Sequence, residues 1–341
     1  MFFVLEDFHI MKFVVCLLPV IVFLLSLFLF DSFKLVGKMT LILCILWGGV
    51  AAVLSYYMNT FLLEQSEISF EKFARLLAPF TEEISKALVI IFLVYKKKIG
   101  FPVDAAIYGF AAGAGFALAE NIYYLLLLGE GNHFTLWILR GFGTALMHGG
   151  NTAIFGILLI SGVQREKPFY LAICPGLLLV FIMHSIFNHF FLHPALQTIF
   201  ILIILPGVFV LMFRRNNMQL QNWLEIEFSN EVNMLSMIRK GNFLQTRSGK
   251  YLASLKDHFA PEMIVDLYCY ISLYLELSIK AKRNMMLKEN GFKAIIEPDI
   301  GEKLLELKNL RRQIGKVGEM AMWPIVRINY REIWKLNLLK K

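Results

Sequence analysis

This chain has little charge and no paired cysteines. Asp, Glu, Lys and Arg make up only 18% of 341 residues, against 57% hydrophobic, and the mean hydropathy is +0.61. A soluble globular class is excluded. Cys16, Cys44, Cys174 and Cys269 show neither CxxC nor paired spacing. That excludes a disulfide framework or a thiolate metal site and leaves them as small hydrophobes. The net charge of +8 comes without a nucleic-acid motif, so nucleic acid is not expected as a partner. No HExxH occurs, so sequence alone does not establish a metal. No internal repeat is evident, which counts against an inverted-repeat transporter. No small-residue cleavage site follows the apolar run after Met11–Lys12, and that run is expected to stay as an anchor.

What is present is long apolar sequence. Stretches near 11–30, 39–59, 76–95, 103–128, 135–160, 169–192 and 196–213 suit the ~20 residues that a spanning helix needs. The expected fold is therefore all-α, a polytopic membrane bundle of about seven transmembrane helices. Lys34 and Lys38, Lys96 to Lys98, and Arg165 and Lys167 occupy the odd loops, and Arg214–Arg215 come after the last span. The second loop sets Glu64, Glu67 and Glu71 against Lys72 and Arg75. The fourth holds only Glu130, and the sixth has no Lys or Arg. By the positive-inside rule the odd loops and the C-terminus are cytoplasmic, and the N-terminus, with Glu6 and Asp7, is outside.

The net charge divides the chain at the same place. Residues 1–213 hold 12 Lys/Arg and 12 Asp/Glu; the tail, 214–341, holds 22 against 14. Its apolar and charged residues alternate at helical spacing, as in EKLLELKNLRRQIGKVGEM, which predicts a small helical cytoplasmic domain near anionic lipid. Turns are expected at Arg247–Lys250 and Glu297–Ile300, and Trp323 and Trp334 are expected against the inner leaflet.

Against this background, ionisable residues inside the spans stand out. Each costs on the order of 2.5–3.5 kcal/mol in hydrocarbon. Glu82, Glu83 and Lys86 lie in the third span, Glu120 in the fourth, His148 in the fifth and His184 in the sixth. Despite alternating helix directions, the carboxylates and imidazoles fall at one level, roughly 9–20 Å below the outer ends of their spans. Gly109, Gly113, Phe116 and Glu120 share one helical stripe, and Gly141, Ala145, His148 and Thr152 another. Such glycine stripes face protein rather than lipid. His184 and Asn188 stand one turn apart. Bland readings exist for each residue: Glu82, Glu83 and Lys86 as a capping cluster behind Thr81, single histidines and Asn121 as helix glue, Arg140 as a snorkelling cation. The functional reading rests on the constellation.

These residues resemble the motifs of the PrsW family of intramembrane proteases. Glu82-Glu83-Ile84-Ser85-Lys86 is similar to its EExxK motif. Phe116-Ala117-Leu118-Ala119-Glu120-Asn121 is similar to its FxxxEN, with Asp104 and Tyr108-Gly109 ahead of it. His148 with Thr152 resembles the third motif, and His184 with Asn188 the last, where some members carry Asp. The resemblance runs over about residues 81–190 and leaves the tail uncovered. It implies an endopeptidase of the bacterial plasma membrane that cuts a single-span, anti-sigma-factor-like substrate on the extracytoplasmic side.

Hydrolysis there needs an activated water and an electrophile for the tetrahedral intermediate. Glu82 or Glu83 is expected as general base, with Lys86 orienting the pair. His184 and Asn188 are expected at the oxyanion, and Glu120 and His148 at the water or a metal. Glu120, His148 and His184 also form a zinc set with an open position, and metal-free glutamate chemistry stands beside it. The rival functions are a proton- or cation-coupled transporter using the same cluster, and an inactive scaffold of the same fold.

Overall fold

The computed structural model describes residues 2–31, 33–128 and 133–340; Glu130 and the side chains of Glu6 and Asp7 lie outside that description. The described residues form helices and no strands. They fall into two compact units, Met1–Asn216 and Asn217–Lys341.

The first unit begins with α1 (Phe2–Leu29) and α2 (Lys38–Gln65), followed by a short α3 (Phe70–Lys72), a π-helical turn (Phe73–Leu77) and α4 (Ala78–Tyr95). Next come α5 (Pro102–Leu128), α6 (Phe134–Leu139), a second π-helical turn (Arg140–Thr144), α7 (Ala145–Gln164) and α8 (Phe169–His189); α9 (Pro194–Arg239) runs on into the second unit. Among the described residues six helices are long and apolar enough to cross a membrane: Ile10–Leu29, Lys38–Gln65, Pro102–Leu128, Phe134–Gln164, Phe169–His189 and Pro194–Arg239. The remaining apolar stretch is α4, whose 18 residues include Glu82, Glu83 and Lys86. With α3 and the π turn ahead of it, this helical run reaches roughly 35–40 Å, long enough to span.

Small residues decide which helices lie inside. α5 is rich in Ala and Gly and is buried along about its first four turns, packed most extensively on α7 and α2. The contacts are backbone to backbone. A Cβ on Gly113 would stand 2.2 Å from the His148 carbonyl oxygen, and one on Gly109 would stand 2.5 Å from that of Thr152. Gly48 of α2 and Gly115 of α5 leave each other equally little room, with ideal Cβ positions 2.0 Å from Ala112 O and Ile45 O. Such approach drives helix association in lipid, where apolar burial alone gives no preference for protein over acyl chains. Gly113→Ala is therefore expected to force α5 and α7 apart and cost about 1–3 kcal/mol. A thermal melt in detergent checks it; an unchanged midpoint would show that the helices are not in close contact.

The second unit packs α10 (Arg247–Ser254), α11 (Pro261–Glu289), α12 (Ile300–Ala321) and α13 (Tyr330–Asn337) with the end of α9. Its apolar core includes Leu267, Ile271, Leu275 and Trp334. Trp334, expected at the inner leaflet, is thus enclosed, because α13 turns its indole face into the domain. Trp323 remains exposed, with the Arg327 guanidinium 4.9 Å from its ring. At Arg247–Lys250 the chain starts a helix rather than turning, because Thr246 accepts the Gly249 N–H as an N-cap. Lys282 and Lys335 are fully buried among Glu227, Glu231, Glu332 and Ser278. Burial, and then Glu332 beside it, pushes the Tyr274 hydroxyl well above its ordinary value.

Candidate active site

Two π turns aim the site. A π turn carries one extra residue, so the helix beyond it is rotated relative to an unbroken α-helix. The first, Phe73–Leu77, precedes Glu82 and Glu83 on α4; the second, Arg140–Thr144, precedes His148 on α7. The widened first turn is held from α8. Asn188 Nδ2 donates to the Ala74 carbonyl at 3.1 Å and Ser185 Oγ to that of Arg75 at 2.7 Å. Asn188 is therefore engaged with backbone, one helical turn from the imidazole it accompanies in sequence.

Glu82, Glu83, Lys86, Glu120, His148 and His184 come together from four helices. Glu83 Oε1 is the hub. It accepts from Lys86 Nζ at 2.7 Å, from His184 Nδ1 at 2.8 Å and, more weakly, from Asn151 Nδ2 at 3.5 Å. A carboxylate only accepts, so the His184 proton sits on Nδ1 and its Nε2 carries the free lone pair. That Nε2 lies 3.8 Å from Glu82 Oε2. Lys86 Nζ also stands 3.0 Å from His148 Nδ1 and 4.9 Å above the Phe116 ring. The two imidazoles meet edge to face with centroids 4.9 Å apart.

Exposure shows which groups face the opening. Lys86, Glu83, His148 and His184 side chains are at most 3% exposed, whereas Glu82 is 15% and Glu120 24% exposed. The two carboxylates thus form the mouth and the imidazoles the floor. Thr81 does not cap α4; its hydroxyl lies within the helix, donating to Ala78 O at 2.9 Å with Asn59 Oδ1 2.5 Å away. Thr152 bonds back to the His148 carbonyl at 3.1 Å, and Asn121 anchors to the Cys16 carbonyl at 3.1 Å. Both support the site from behind.

Arg140 is another residue that sequence reasoning placed wrongly. It does not snorkel outward. Its Nη2 lies 3.1 Å from Glu120 Oε2, and Nε donates to Asn121 Oδ1 at 3.0 Å. A π turn leaves no mark in sequence, so helical periodicity could not aim this side chain. The available signal was Glu120 itself, a carboxylate in need of a cation.

The donor set fits a divalent metal. One ligand atom from each of Glu82, His148 and His184 lies within 4.8 Å of the others. His148 Nε2 is buried with no hydrogen-bond partner among the described residues, as are Glu120 Oε2 and Arg140 Nη2. These atoms approach within ion-pair range, Glu120 Oε2 being 3.3 Å from His148 Nε2, without completing a directed bond. Buried polar atoms left so call for a water or an ion among them. Glu83 on His184 Nδ1 has the arrangement of a carboxylate that fixes the orientation of a metal-binding imidazole. The group that could hold a metal thus sets Glu82 beside the two histidines, in the place where the sequence offered Glu120.

No curated protein and no solved structure matches the chain. Residues 37–213 match the family model described as PrsW family intramembrane metalloprotease. That span includes α2 to α8 and all of the clustered carboxylates and imidazoles. This multi-pass membrane protein belongs to the PrsW family of intramembrane proteases.

Proposed function

We propose that the chain hydrolyses a peptide bond of a single-span membrane protein near the outer side of a bacterial plasma membrane. An anti-sigma-factor-like protein suits that description. The observation that carries the reading is the convergence of Glu82, Glu120, His148 and His184 on one enclosed, polar spot inside an apolar bundle. Basic odd loops and a basic tail support a cytoplasmic C-terminus, with the tail beside the anionic inner leaflet. The N-terminus is then outside, and the site lies in the outer half.

In this reading Glu82, His148 and His184 would hold the metal, and their two-imidazole, one-carboxylate composition suits zinc. When bound, such an ion supplies an acidified water and a Lewis acid for the scissile carbonyl. Glu83 and Lys86 hold the two rings by their Nδ1 atoms. For His148 Nε2 to ligate, its Nδ1 would take the proton that Lys86 donates in the metal-free contact, and the proton on Nε2 would be released. Glu120 stands beside His148 Nε2 at the mouth and takes the proton from the attacking water, then returns it to the leaving amine. Lys86 is too enclosed to meet substrate and acts through Glu83 and His148.

Purified protein reconstituted with single-span substrates is expected to generate a new peptide terminus, identified by mass spectrometry. A transporter or an inactive scaffold generates none. A chelator is expected to remove activity, and stoichiometric zinc to restore it. Cleavage that survives metal-free dialysis would remove the metal assignment and leave metal-free glutamate chemistry.

A further inference from the structure

We infer that Arg140 is a positioning residue for Glu120, and that α1 takes part in setting it. The inference rests on the reading above, in which Glu120 belongs to the reacting centre. Arg140 makes three contacts on α5, all within about one turn: the ion pair to Glu120, the hydrogen bond to Asn121 and a stack over Tyr124, with the guanidinium carbon 4.1 Å from the ring centroid. Its side chain is only 14% exposed. Together the contacts need charge, a directional N–H and a flat face. Arginine offers all three, whereas lysine offers the charge and a rotatable donor on a different geometry.

The support continues behind Arg140 into the first helix. Asn121, which accepts from Arg140 Nε, itself donates to the backbone carbonyl of Cys16. Gly141, next to Arg140 in the π turn, lies so close to α1 that a Cβ there would stand 2.1 Å from the Val15 carbonyl oxygen. The α1 backbone therefore fixes the π turn, the π turn aims Arg140, and Arg140 holds Glu120 Oε2 beside His148 Nε2. Both of these Glu120 contacts are made by Oε2. This buttress uses residues that precede the matched segment 37–213.

The test compares full-length wild type, Arg140→Ala and Arg140→Lys on one single-span substrate, with ethylguanidinium added. Loss of position by about an ångström lowers turnover by about 10²-fold, so R140A is expected to lose that much kcat with KM close to wild type. Ethylguanidinium is expected to restore kcat in proportion to its concentration, a response that a purely structural arginine would not give. R140K is expected to fall between the two; it also decides the matter if R140A does not accumulate. Wild-type kcat in either variant, a loss carried by KM alone, or a loss in R140A that ethylguanidinium leaves untouched would each overturn the inference. If wild type itself cleaves nothing, the protease reading of the site fails and this inference falls with it.

Discussion

His184→Ala is expected to abolish cleavage, by about 10³-fold or more, while the protein still accumulates and folds in the membrane. The side chain connects the two halves of the site. Its Nδ1 is bonded to the buried Glu83, and its Nε2 faces Glu82 and the pocket. Truncation removes one of the proposed ligands and leaves Glu82 without a neighbour on that side. The fold is less affected, because Glu83 keeps Lys86 as a counter-ion at 2.7 Å and the Asn151 amide behind it. Asn188→Ala supplies the contrast. Asn188 lies one turn further along α8 but spends its amide on the Ala74 carbonyl of the π turn. Its removal is expected to loosen that turn and lower activity only several-fold, roughly the worth of one neutral hydrogen bond. Both are read by initial cleavage rate, normalised to membrane abundance and to a gel-filtration profile in detergent. Activity within a few fold of wild type in H184A would remove the site. Equal, complete loss in both would return Asn188 to the oxyanion role that its sequence position suggests.

That contrast also marks what sequence could and could not reveal. Hydropathy defined the spans because lipid demands uninterrupted apolar helices with every backbone group satisfied internally. The glycine stripe on α5 was legible for the same reason. Gly109 and Gly113 do abut the backbone of α7, because 3.6-residue periodicity holds without interruption from Pro102 to Leu128. The corresponding stripe on the next span does not hold together. Gly141 faces α1 and His148 faces the pocket, since a π turn lies between them and shifts the register. The same event turned Arg140 inward. On α8 the residue spacing was right, but the partner was not: Asn188 meets a carbonyl of the other π turn. In the tail, amphipathic spacing implied helices without saying which face each buries, so Trp334 could be read as a membrane anchor although it is core. Inside the bundle, the errors concentrate where backbone geometry departs from the regular helix. Those departures are also where the site is built.

Lys86→Met is expected to be the most damaging single change to stability, although Lys86 meets no substrate. Its ammonium is fully buried and paired with Glu83, which is itself 2% exposed. Removing one member of such a pair strands the other charge away from water, at a cost of about 3–5 kcal/mol. In a protein whose net stability is about 5–15 kcal/mol, that is enough to deplete the folded form. Glu83→Gln strands Lys86 in the same way and is expected to be comparably harmful. The double variant K86M/E83Q differs in kind. With both members of the pair neutral, and an amide at position 83 still able to meet His184, neither desolvated ion remains. The pair of changes is expected to melt closer to wild type than either one alone, the non-additive result of two residues coupled in one buried pair. It is also expected to be inactive, because His148 loses the amine at its Nδ1 and His184 loses the carboxylate at its own. Melting temperature in detergent and cleavage rate together separate these effects. Additive destabilisation in the double variant would mean that Glu83 and Lys86 do not share a buried site. Recovered activity along with recovered stability would mean that the ion pair serves folding alone, and the orienting role given to Glu83 and Lys86 would have to be withdrawn.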